Sequence, residues 1–62
     1  TIIDYINRFR MNTAMELIKA PENRMLSIER ISFMVGYDSI RTFNRHFKKM
    51  FGTTPSRLRE NP

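Results

Sequence analysis

The chain has 62 residues, no Cys, and 11 Lys plus Arg against 6 Asp plus Glu, for a formal net charge of +5. That length allows one small domain with a marginal core, and without Cys no disulfide or Cys-based zinc site can staple it. With one His and no Cys, nucleophile–base pairs and metal clusters are hard to assemble, so neither an enzyme nor a bound cofactor is expected, and the basic balance points to a polyanion.

No apolar run approaches the ~18 residues of a membrane-spanning helix, so no membrane partner is expected. The start, Thr1-Ile2-Ile3-Asp4, lacks the basic and apolar regions of a signal peptide. A cytoplasmic location is the expectation. The hydrophobic fraction of 40% suits a folded domain rather than a disordered tail. No stretch alternates apolar and polar residues for long, and the spacing predicts an all-α fold.

The first helix is predicted over about Ile2 to Lys19, stopped by Ala20-Pro21, because proline cannot continue a helix and biases its predecessor away from helical angles. At roughly 100° per residue its apolar positions form two stripes. Ile2, Tyr5, Ile6 and Phe9 share one face of the first half, with Leu17 nearer to them. Met11, Ala14, Met15 and Ile18 lie on nearly the opposite face of the second half. A helix whose apolar face changes sides midway is better explained by two cores. The rest of this chain supplies one. A partner for the first stripe is missing, unless the domain wraps the helix on both sides or dimerises through it.

Pro21 to Leu26 reads as a loop. Ser27 is an N-cap for a two-turn helix whose Ile28, Ile31 and Val35 form one stripe, with Phe33 and Met34 extending it. Gly36 ends that helix, as a glycine that tolerates positive φ does. Asp38 or Ser39 caps the next helix, Asp38 by preference, and that helix runs to about Phe51 before Gly52. Ile40, Phe43, Phe47, Met50 and Phe51 fall on one side of it. Arg41, Arg45 and Lys48 fall on another, at i, i+4 and i+7. Thr54-Pro55 starts a last short helix to about Glu60, with Leu58 inward and Arg57 and Arg59 outward.

Charge is uneven along these elements. Residues 1–37 hold five positive and four negative side chains; residues 38–62 hold six and two. The polyanion contact is therefore expected on the C-terminal half. Two short helices joined by a glycine-containing turn make a helix-turn-helix, in which the first helix braces the second against the DNA major groove. The turn alone is a weak signal, because helical hairpins serve many functions. The basic stripe strengthens it.

The run Ile28-x-x-Ile31-Ser32-x-x-Val35-Gly36-Tyr37, then Phe43, Phe47-Lys48-Lys49-x-Phe51-Gly52-x-Thr54-Pro55-Ser56, resembles the second helix-turn-helix of AraC/XylS-type bacterial transcription regulators. Upstream, Tyr5-Ile6-Asn7-Arg8-x-Arg10-Met11-x-x-Ala14-x-x-Leu17-Ile18 resembles the linker helix of that family. The resemblance covers about residues 5–59. It implies a linker helix at 1–20 and a helix-turn-helix subdomain, a homeodomain-like three-helix unit, at 26–60. It further implies a fragment of a longer regulator whose first helix-turn-helix packs against Ile2, Tyr5, Ile6 and Phe9. Double-stranded DNA is the implied partner, with RNA polymerase as a further partner of the intact regulator, acting at the bacterial nucleoid.

The resemblance also places base contacts at Ile40, Arg41, Asn44 and Arg45. The basic stripe agrees for Arg41 and Arg45. An arginine bonds guanine O6 and N7 through two parallel hydrogen bonds, Asn44 would suit adenine, and Ile40 is either core or a contact to a thymine methyl. Ile40 and Leu58 depart from the polar and aromatic residues usual at those positions. Ser27, Ser39, Thr42, Lys48, Lys49 and Arg57 are the candidate phosphate contacts. Arg59 is either another or simply solvated. His46 has no second ligand at useful spacing and is not expected to bind metal. Two other classes stand beside the DNA reading: a protein-interaction or dimerisation module using the Ile2/Tyr5/Ile6/Phe9 stripe, and a membrane-surface amphipathic helix, against which the Pro and Gly breaks argue.

Overall fold

Nothing between Ile2 and Lys19 interrupts a helix, and in a computed structural model describing residues 1–60 the first helix, α1, runs unbroken over Ile2–Lys19. It is followed by α2 (Ile28–Met34), α3 (Ile40–Phe51) and α4 (Pro55–Glu60). The described residues contain no strand. The fold is all-α: a long helix, a helix-turn-helix, and a short last helix.

Each boundary has a local cause. The Thr1 hydroxyl accepts the Asp4 N–H at 3.3 Å and caps α1. Ala20, held before Pro21, turns extended at φ −68°, ψ 122° and ends it. The expected loop 21–26 contains a 3₁₀ turn, Pro21–Asn23, and the Asn23 amide donates back to the Leu17 carbonyl at 3.2 Å. Ser27 caps α2, accepting the Arg30 N–H at 3.0 Å. Gly36 follows α2 at φ +100° and Gly52 closes α3 at φ +76°. Thr54 caps α4 through the Arg57 N–H at 3.3 Å.

The cap of α3 is Ser39 and not Asp38. Ser39 is extended and stands immediately before Ile40, so its hydroxyl reaches the Thr42 N–H at 3.4 Å. Asp38 lies one residue too far back to satisfy the first-turn donors.

The core joins Met11, Ala14 and Ile18 of α1 to Ile31 of α2, Tyr37 of the turn, and Phe43 and Phe47 of α3. Tyr37, Phe43, Phe47 and Phe51 stack in sequence with centroids 5.5, 5.8 and 4.7 Å apart. Such offset and edge contacts add to the area these rings bury. Leu17 packs against the edge of this core and also lines, with Ile6 and Phe9, the groove beside the first stripe. Phe33 (49% exposed) and Met34 (53%) do not extend the α2 stripe. Phe33 falls on the arc between Glu29 and Arg30, away from Ile28, Ile31 and Val35. Met50 is also exposed, beside an open groove between α1 and α3.

The first stripe of α1 is bare: Ile2, Tyr5 and Phe9 are 64–75% exposed, and Ile6 is 41% exposed. The accessible surface, 4822 Å², exceeds the roughly 4,200 Å² expected for a compact chain of this mass. The two-core reading of α1 thus meets one filled core and one open apolar face.

Candidate nucleic-acid interface

Twelve residues at about 1.5 Å each make α3 roughly 18 Å long, enough to cross a groove about 12 Å wide. Phe43 and Phe47, fully buried, pin one side of it to α1 and α2. The opposite side carries Arg41, Arg45, Lys48 and Lys49, all exposed, and α3 contains no carboxylate. Among the described residues none of these four side chains makes a hydrogen bond or ion pair. Asp4, paired with the Thr1 amino group at 3.3 Å, lines with Lys49 the groove between α1 and α3, so a carboxylate stands at the Lys49 edge of this face, while Arg41, Arg45 and Lys48 lie outside that groove.

The other candidates distribute as follows. Thr42 and Asn44 are half-buried along the flanks of the basic face. Ile40 is half-buried and packs against the core. Ser39 sits at the N-terminus of α3 with its hydroxyl used as the cap. Ser27 is exposed at the N-terminus of α2, likewise capping. Arg57 is exposed on α4 and engaged in an intramolecular interaction.

Arg59 does not point outward. Its guanidinium donates to the Leu26 carbonyl and, at 3.5 Å, to the Asn23 carbonyl. It ties α4 to the segment before α2, sharing the Asn23 carbonyl with the Leu26 N–H.

Local spacing gave no sign of the bracket around the turn. Tyr37 is buried, and its hydroxyl pairs with Nδ1 of His46 at 3.1 Å, so His46 is not isolated. The two rings meet edge-on, 5.6 Å apart. The Arg10 guanidinium of α1 lies 6.0 Å from the Tyr37 ring centre. It also covers the bare face of Gly36, where a Cβ would come within 3.3 Å of its Nε. Burial pushes the Tyr37 phenol above its usual pKa, and the Arg10 charge opposes that rise. The signal for the turn was Gly36-Tyr37. The signal for Arg10 could come only from three dimensions.

Among the described residues no group of three or more His, Cys, Asp or Glu could hold a metal ion. No helix there is long and apolar enough to cross a membrane.

A family model described as a helix-turn-helix domain matches residues 1–61. The chain is 39% identical over 61 residues to the "Probable transcription factor PqrA" of Proteus vulgaris, covering 98% of this chain and 48% of that protein. It is 38% identical over 60 residues to the "Msm operon regulatory protein" of Streptococcus mutans, covering 97% of this chain and 20% of that protein. The chain thus spans about half the length of one relative and a fifth of the other. No solved structure matches it.

Proposed function

The chain belongs to the AraC-type helix-turn-helix family of transcription regulators, and from that premise we propose how it reads DNA. Sequence-specific DNA binding by a transcription regulator is the function of the module. α3 enters the major groove. Arg41 and Arg45 bond base edges, Asn44 bonds an adjacent base, and Ile40 touches a thymine methyl from the groove wall. Lys48, Lys49 and Arg57, with the hydroxyls of Ser39 and Thr42 and the capped α2 N-terminus at Ser27, hold the flanking phosphates. The observation that carries this reading is the row Arg41, Arg45 and Lys48: exposed, without side-chain partners among the described residues, and backed by the buried Phe43 and Phe47.

Residues 1–20 act as a linker helix and 26–60 as one reading subdomain. The exposed Ile2, Tyr5, Ile6 and Phe9 seat a first helix-turn-helix of a longer regulator. That regulator works in the bacterial cytoplasm, at the nucleoid, has no enzymatic activity of its own, and meets RNA polymerase when bound. The exposed stripe also favours a second reading, self-association of this chain, and sedimentation over a concentration series distinguishes the two.

For DNA, one module contacts one groove segment. Alone, the 62-residue chain should bind a random-sequence duplex only in the 10⁻⁴–10⁻⁶ M range typical of non-specific binding, roughly. An electrophoretic or anisotropy titration tests this. Absence of any binding at low salt overturns the groove reading. Tight, site-selective binding by the chain alone overturns the two-unit picture.

A further inference from the structure

Base reading by Arg45 requires more than an exposed arginine. A side-chain tip about 6 Å from a helix axis moves about 1 Å for each 10° of rotation about that axis. A working group must stay within roughly 0.5 Å of its productive place. Something must therefore fix the rotation of α3, and the Phe43–Phe47 side of the helix is held by apolar and ring contacts without a side-chain hydrogen bond.

The directional contact reaches α3 from α1 through the turn. The Arg10 guanidinium lies against Gly36, whose missing side chain leaves room for it, and faces the Tyr37 ring at 6.0 Å. Tyr37 passes the constraint on through its hydroxyl to Nδ1 of His46, 3.1 Å away. His46 directly follows Arg45 in α3. An aliphatic side chain at position 10 could fill space over Gly36, but only a planar cation both lies flat on the turn and faces the ring. Arg10 also lines, with Ile6, Phe9 and Met34, the groove beside the bare stripe of α1. It stands where an occupant of that stripe would meet the turn.

We propose that Arg10 is a positioning residue for base reading: through Gly36, Tyr37 and His46 it sets the rotation of α3, and hence the place of the Arg45 guanidinium, without touching DNA. The proposal rests on the groove reading given above.

The test uses the full-length protein, a duplex that it selects from a random pool, and an unselected random duplex. The readout is the ratio of the two affinities. Arg10→Met and Arg10→Lys should each lower that ratio by about 5-fold or more, the lower end of what one good bidentate contact discriminates. Lys19→Met, which removes the same charge from the exposed end of the same helix, away from the turn, should leave the ratio within about twofold of wild type. Tyr37→Phe, which keeps the ring and loses the His46 link, should lower it too. Circular dichroism checks folding; if Arg10→Met is unfolded, Arg10→Lys and Tyr37→Phe decide by the same criterion.

Ratios for the Arg10 variants equal to that of Lys19→Met overturn the proposal while Arg45→Ala still lowers the ratio. If Arg45→Ala leaves the ratio unchanged, the groove reading itself fails, and the positioning role with it.

Discussion

The cations assigned to phosphates, Lys48, Lys49 and Arg57, set the salt dependence of DNA binding. Each phosphate neutralised releases condensed counterions, with a slope of log affinity against log salt of about −0.9 per charge. Taking these three together gives a slope of about −2.7. Raising salt from 50 to 200 mM then weakens binding by about 40-fold. Lys49→Ala should flatten the slope to about −1.8, and the same change in salt then costs about 12-fold. Fluorescence anisotropy of a labelled random duplex, titrated at several salt concentrations, measures both slopes. A wild-type slope shallower than about −1, or a Lys49→Ala slope equal to wild type, would refute the assignment of this face to the DNA backbone.

Three further outcomes follow from the geometry. Gly36→Ala and Gly52→Ala both force a side chain into left-handed backbone, at about 1–2 kcal/mol, partly offset by about 0.4–1 kcal/mol from a stiffer unfolded chain. Gly36→Ala should cost more, because its Cβ meets Arg10 at 3.3 Å while Gly52 has open space, and urea denaturation should show that excess shrink in an Arg10→Ala background. Phe9→Ala should leave the stability of the 62-residue chain within about 0.5 kcal/mol, since the ring is exposed, yet destabilise a longer chain that carries the proposed first helix-turn-helix; equal effects in both would argue against a seat there. Finally, Tyr37 has its folded pKa raised by burial, so its neutral form is favoured in the fold. Stability from this group is complete below the unfolded value near 10 and is lost as pH rises through the higher folded value, and Tyr37→Phe should remove that alkaline loss in melting experiments.

What the sequence made legible was local. Pro21, Gly36, Gly52 and the Ser and Thr caps act within a few residues, so they placed the four helices to within a residue or so. The 3.6-residue period likewise separated Arg41, Arg45 and Lys48 from Phe43 and Phe47, and split α1 into two stripes. Features made by distant residues were not legible. Arg59 reaches carbonyls more than thirty positions earlier, and Arg10 covers a glycine on another element. Period alone also overstated burial at Met50, which shares a side with Phe43 and Phe47 but borders an open groove; Phe33 is exposed, as its place off the α2 stripe requires. The Ser39 cap illustrates a finer limit, since Asp38 and Ser39 have equivalent chemistry and only the backbone angle at Ser39 decides between them.

The most direct test of base reading compares Arg45→Ala with Lys48→Ala on a selected duplex and on a random one. Arg45→Ala should cost about 1–3 kcal/mol on the selected duplex, relax the preference at one base pair, and change random binding far less. Lys48→Ala should weaken both duplexes alike, as loss of a phosphate contact does. If Arg45→Ala weakens both duplexes equally, or neither, α3 is not the element that reads the sequence.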